Sequence, residues 1–175
     1  MKHIGHMSLL ALALLFSVAC TRSGSKFFRG NYSFKASGTL TVGFTRTSSS
    51  QTGESETASY ETSLSSESGQ MNILEKGGGA MVVTMSIVSG PVLVFDAECE
   101  GNTLTLSPVS REISLKDEIG SDMKMNVTMS GEAEKLDNVV IFTMHYEGEK
   151  QVEKLTGSVK YVIEDSHVQC VATEN

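Results

Sequence analysis

The 175-residue chain carries a formal net charge of −7, no tryptophan and three cysteines. It is long enough for one domain with a real core, and its acidity argues against nucleic acid, which rewards clustered Lys and Arg. With four histidines and no Gly-x-Ser-x-Gly, zinc-ligand spacing or phosphate loop, it reads as a non-enzyme without metal or cofactor.

Lys2 precedes the apolar run Met7-Ser8-Leu9-Leu10-Ala11-Leu12-Ala13-Leu14-Leu15-Phe16, and Ser17-Val18-Ala19 leads to Cys20. The run is well short of the roughly 20 residues a spanning helix needs, so residues 1–19 read as a signal peptide. A cysteine directly after the cut offers a thiol for a diacylglycerol, making Cys20 the expected lipidation site. The segment resembles the lipobox of bacterial lipoproteins, with Ser17 where Leu is commonest. That resemblance implies a chain held in the bacterial cell envelope, its first partner the membrane. The outer membrane is the expected place, and its periplasmic face is favoured over surface export because no acidic run follows Cys20. Residues 20–29 are expected as a lipidated tether. Its Arg22, Lys26 and Arg29, with Lys35 beyond, could each gain up to about 1 kcal/mol from anionic headgroups; scattered charge on a solvated tether is the plainer reading. At about 3.5 Å per residue, the domain over 30–175 would sit within about 25 Å of the bilayer.

From Asn31 the pattern has period two: Tyr32, Phe34, Ala36, Leu40, Val42 and Phe44 alternate with polar residues or Gly. This is a strand with one buried face, and Gly38 in its middle predicts a bend or bulge. The Ser-, Thr- and Glu-rich stretch Thr45–Gly69 is the weak one, read as a flexible loop to about Glu56 followed by an edge-like strand through Tyr60, Thr62 and Leu64. Further strands are predicted near Gln70–Glu75, Ala80–Val88, Val92–Glu100 and Thr103–Ser107. Pro108 marks a break before Val109–Leu115. Asp122–Ala133, Val139–Glu147 and Gly157–Ile163 follow, with a last short strand at His167–Ala172. Turn signals such as Gly77-Gly78-Gly79, Ser89-Gly90-Pro91 and Gly101-Asn102 keep the connections short, so neighbours should pair antiparallel. No long window has helical periodicity. The prediction is all-β, and a sequential meander of this kind hides its edges by closing into an up-and-down barrel of about 8–10 strands.

The signal ending Phe16-Ser17-Val18-Ala19-Cys20, the opening Gly30-Asn31-Tyr32-Ser33-Phe34 and the run Val139-Val140-Ile141-Phe142-Thr143 resemble the lipocalin-like, or calycin-like, lipoproteins of Bacteroides-type bacteria. Tyr32 stands where lipocalins proper carry the Trp of Gly-x-Trp. The resemblance implies a barrel with a ligand cavity and supplies no activity.

Candidate residues follow from parity. Met123, Met125 and Met129 share a face, and with Phe142 and Tyr161 they could wall a cavity for an apolar ligand, since Met fills irregular and promiscuous surfaces; ordinary core filling is the bland alternative. Arg111 shares parity with Val109, Ile113 and Leu115, which puts a guanidinium fork on the inner face, suited to the carboxylate of an amphiphile. A place at the barrel mouth, or a register shift at Pro108, would account for it equally. His145 has the parity of an outward residue, which disfavours copper(I) at the methionines. Asp165-Ser166-His167 are extended neighbours that cannot converge as a triad, and Asp117, Glu118 and Asp122 lack EF-hand spacing. With Cys20 acylated, Cys99 and Cys170 remain in an oxidising compartment. A bridge between them would close a loop of about 70 residues, worth roughly 4 kcal/mol; two buried free thiols is the other reading. The loose echo of the lipocalin disulfide comes from the resemblance alone. Two functions stay open: an anchored barrel holding a small apolar or amphiphilic molecule, or a structural lipoprotein with a filled barrel that meets an envelope protein. About 300 Å³ or more of connected apolar space would favour the first.

Overall fold

The computed structural model describes residues 21–49 and 54–175. The expected signal peptide and Cys20 lie outside the described residues. Among the described residues one helix, α1 (Thr21–Phe28), precedes nine strands: β1 (Gly30–Ser48), β2 (Ser55–Gly77), β3 (Ala80–Ile87), β4 (Val92–Glu100), β5 (Thr103–Lys116), β6 (Asp122–Leu136), β7 (Val139–Glu147), β8 (Glu149–Lys154) and β9 (Gly157–Glu174). All pairings are antiparallel, between neighbours in chain order except that β7 pairs β9, and β9 closes the sheet by returning to β1. β7 and β8 follow one another along the same edge of β9, so the ring has eight staves.

The alternating pattern folds as predicted because each inner residue escapes water while its neighbour stays wet. Tyr32, Phe34, Leu40, Val42 and Phe44 of β1 are all buried, as are Met123, Met125, Val127 and Met129 of β6. Gly101 opens the two-residue turn between Glu100 and Thr103 with φ 62°, a conformation that suits Gly. The bend predicted at Gly38 is a register shift between Ala36 and Gly38. A Cβ on Gly38 would lie 2.1 Å from the His167 carbonyl oxygen, so the close approach of β9 requires glycine there.

Several predicted boundaries change for one reason. Of the stretch read as a loop and an edge strand, residues 45–48 belong to β1 and residues 55–69 to the long β2 beside it, while residues 50–53 lie outside the described residues. Pro108 interrupts the ladder between Leu106 and Val109 without ending β5. The two segments at Gly157–Ile163 and His167–Ala172 are one strand, whose pairing with β1 slips at Glu164. The register shifts at Ser65-Ser66, Ser107-Pro108 and Glu164 are bulges, and a bulge shifts the inward parity by one residue, which reads in sequence as two strands.

These irregularities form a belt that divides the barrel. On the α1 side, ladders join every stave to the next all round the ring. Beyond the belt, β3 and β4 have ended, β4 pairs β5 only over Ala97–Glu100, and β6 pairs β7 only from Thr128 onward. The far half is therefore a four-stranded sheet β2-β1-β9-β8 facing the hairpin β5-β6, with two seams that carry no ladder.

The segment expected as a tether is largely α1, and it closes the ring end. Phe28 is fully buried, its carbonyl accepts a hydrogen bond from Tyr32 Oη (2.7 Å), and Ser25 Oγ donates to Glu75 Oε1 (2.8 Å). Lys135 Nζ reaches Tyr32 Oη (3.1 Å) and Glu174 Oε2 (2.9 Å) and lies over the Phe27 ring. Burial opposes its charge, but these hydrogen bonds win and raise its pKa.

Candidate functional site

The first seam is closed by side chains instead of backbone. On β2, Tyr60, Thr62 and Leu64 point inward, and then the ladder slips at Ser65-Ser66, so that Glu67, Gly69, Met71 and Ile73 take the inner face. On β5 the slip at Ser107-Pro108 does the same for Val109, Arg111, Ile113 and Leu115. Both shifts serve one contact: Arg111 Nη2 and Nη1 donate to Glu67 Oε1 (2.7 Å) and Oε2 (3.1 Å). The pair is bidentate and charge-assisted, the strong class of hydrogen bond. Its two members differ in exposure, 11% for the Arg111 side chain and 28% for Glu67. Arg111 Nε is buried and has no hydrogen-bond partner among the described residues.

A recess of about 270 Å³ opens beside this pair. Ala36, Leu64, Ile113 and Val168 give it an apolar wall, and Pro91, at the end of the β3–β4 turn, also lines it. Tyr146 lies on its inner side, and burial pushes the phenol up to about 12, Arg111 pulling against that and Glu67 and Cys170 adding to it. The Cys170 thiol is likewise pushed up to about 12, by burial first and Glu67 second. A thiol so protonated is inert as a nucleophile.

Farther along the seam, Tyr60 Oη donates to the Lys116 carbonyl (3.1 Å) and Lys116 N donates to Thr62 Oγ1 (3.3 Å). Burial, with Glu118 and Asp117 nearby, pushes Tyr60 up to about 12. Glu118, in the β5–β6 turn, accepts from Arg46 Nη2 (2.8 Å) and Tyr161 Oη (2.8 Å). Burial alone would raise its pKa; the hydrogen bonds from Tyr161, its own backbone and Arg46, with the charge of Lys154, bring it below the ordinary glutamate range. Asp117 Oδ1 accepts from the backbone N–H groups of Ile119 and Ser121, so it organises the turn. At the second seam, Lys150 Nζ donates to the Lys124 carbonyl.

Of the residues singled out for a ligand, Arg111 alone lines the recess. Met123, Met125, Met129, Phe142 and Tyr161 are all buried in the continuous core, and none lines this recess or the shallow outer grooves. The methionines pack against other side chains, as a small barrel permits. The recess is lateral, smaller than 300 Å³, and lined by Ser65, Glu67, Arg111, Glu112 and Ser114 as well as by its apolar wall. Arg111 faces inward as its parity requires, but its fork is already matched by the chain's own carboxylate.

Of the two readings of the cysteines, the structure has the second: Cys99 and Cys170 are free, buried thiols. They sit on β4 and β9, four staves apart in either direction round the ring. Eight staves about 4.8 Å apart make a ring at least about 12 Å across, whereas a disulfide needs Cα atoms within about 7 Å. His145 is exposed, as its parity predicts. Asp165 and His167 lie outside the barrel with Nε2 3.4 Å from Oδ2, while Ser166 Oγ accepts from Tyr146 N and donates to the Met144 carbonyl where the β7–β9 ladder stops. That serine patches a gap in the sheet and is not aimed at a substrate.

Glu67 is the residue that sequence reasoning missed. Counting back from Met71 and Ile73 places it inward, whereas counting forward from Tyr60 and Leu64 places it outward. The conflict between the two counts is itself the mark of a bulge at Ser65-Ser66. Neither the protein-family models nor the curated proteins give a match to this chain.

Proposed function

We propose that this chain is a lipid-anchored lipoprotein of the bacterial envelope, with a calycin-like barrel whose axis is filled and which acts through its outer surface on another envelope component. The filled axis carries this reading: Met123, Met125, Phe142 and Tyr161, the side chains best suited to a ligand wall, are consumed in packing. The anchor reading draws support from α1, which begins at Thr21 and packs into the ring end. An acyl group on Cys20 would then hold the barrel end close to the bilayer. The meander order of the strands favours the calycin-like type. Leu74 on β2 and Val92 and Val94 on β4 lie exposed on the outer face, surface available to such a contact.

The test is made on protein from its own host. The N-terminal peptide should carry the mass of a diacylglyceryl group on Cys20, and Cys20→Ser should move the protein from the membrane to the soluble fraction. Native mass spectrometry and methyl NMR should show the acylated chain with no passenger against Met123, Met125 or Met129. A stoichiometric hydrophobic passenger in contact with those side chains, or an unmodified Cys20, would overturn the corresponding half of the proposal.

A second reading, that the barrel takes a small amphiphile, rests on one observation: Arg111 beside an apolar wall.

A further inference from the structure

We propose that the recess beside Arg111 is a binding site for a small monocarboxylate with a short apolar tail, and that Glu67 competes with this ligand for the guanidinium. The site develops the second reading above and is independent of the anchor and of the filled axis.

The ion pair is asymmetric in a way that suits exchange. Arg111 is the less exposed partner and Glu67 the more exposed, so the carboxylate can turn toward water while the guanidinium cannot. Glu67 meets the fork end-on, through Nη1 and Nη2 alone, and leaves the buried Nε without an acceptor. A buried donor without an acceptor is destabilising. A carboxylate meeting Arg111 side-on, through Nε and Nη2, would remove that cost, with a small shift of the wall to admit it.

The recess also bounds the ligand. Its volume of about 270 Å³ is roughly nine times the ~30 Å³ share of one water, room for about eight to ten non-hydrogen atoms. Leu64, Ile113 and Val168 would cover an aliphatic tail. Arg111 is the one cationic side chain among the lining residues, and Glu67 and Glu112 line the same space. A second negative charge would meet two carboxylates, so dicarboxylates and phosphates are disfavoured. An amine is disfavoured too, because both oxygens of Glu67 are engaged and Arg111 cannot leave.

The full chain is titrated calorimetrically with hexanoate, octanoate, succinate and octanol, with methyl NMR locating the ligand. Glu67→Gln removes the competing charge at almost constant shape and should bind octanoate at least tenfold tighter than wild type. Leu64, Ile113 and Val168 methyls should shift, and succinate and octanol should bind at least tenfold more weakly than octanoate. Adding Arg111→Lys, which keeps the charge and loses the fork, should reverse the gain. Equal octanoate affinity in wild type and Glu67→Gln would overturn the proposal. So would octanol binding as tightly as octanoate, or shifts confined to Met123 and Met125. These outcomes leave the state of Cys20 untouched, so the two proposals fail separately.

Discussion

The two halves of this barrel are closed by different physics. On the α1 side, backbone ladders run unbroken round the ring, and Phe28 stoppers the end. Beyond the bulges, the β5–β6 hairpin has no ladder on either flank, and three sets of side-chain contacts hold it to the facing sheet: Arg111 with Glu67 and Lys116 with Tyr60 and Thr62 on β2, and Glu118 with Arg46 of β1 and Tyr161 of β9. A ladder is indifferent to side-chain identity, whereas a side-chain seam can be changed one residue at a time. The seam is accordingly where the recess lies and where specific chemistry can be installed without dismantling the sheet.

The comparison breaks most directly in the core. Phe142, 1% exposed on β7 of the ring, should cost about 3–5 kcal/mol when replaced by Ala. Met125, equally buried on the hairpin, should cost about 2–5 kcal/mol as Met125→Ala. The difference lies in what loosens. Phe142→Ala should lower amide protection throughout the ring, whereas Met125→Ala should lower it first over the hairpin, residues 109–127, which opens independently when edges lack partners. Urea unfolding combined with native-state hydrogen exchange checks both. Hairpin amides protected as strongly as β1 and β9 in the Met125→Ala variant would mean that the seams are as firm as ladders.

A middle-sized effect belongs to the seam's ion pair. Breaking a buried pair by removing one partner costs about 3–5 kcal/mol, and the partial exposure of Glu67 and Arg111 reduces that to about 1–3 kcal/mol for Glu67→Ala. Paired with Arg111→Leu in a double-mutant cycle, the double variant should lose less than the sum of the singles, because no unpaired charge remains. Strict additivity in urea unfolding would show that the contact does not hold the seam.

The ring was largely legible in the sequence, and the seam was not. β4 and β7 fall at their predicted boundaries, Val92–Glu100 and Val139–Glu147, since an uninterrupted alternation leaves little freedom in register. The far half depends on bulges at Ser65-Ser66, Ser107-Pro108 and Glu164, which reset the alternation and cut β2, β5 and β9 into apparent fragments. Arg111 could be placed inward from Ile113 and Leu115 on its own side of a bulge. Its partner could not be inferred, because Glu67 lies across a gap between two strands that share no ladder, and no local pattern records such a meeting. The helix α1 escaped notice for a different reason: its eight residues are too few for periodicity to show, and tertiary contacts through Ser25 and Phe28 hold it.

The smallest expected effect tests the tip of the seam through pH. Hydrogen bonds from Tyr161 and Arg46 hold the Glu118 carboxylate below its ordinary range in the folded protein. A depressed carboxyl pKa contributes stability that is fully present above the unfolded-state value and is lost as pH falls through the folded one. Wild type should therefore exceed Glu118→Gln by roughly 0.5–1 kcal/mol near neutrality, the scale of an exposed-to-partly-buried ion pair. That gap should stay constant down to about pH 5 and close at more acid pH as Glu118 protonates. Because Arg46 and Tyr161 sit on β1 and β9, the closing gap should be accompanied by loss of protection in residues 109–127 and not in the ring. A gap that persists to pH 2, or protection lost equally in both halves, would show that Glu118 does not fasten the hairpin to the facing sheet.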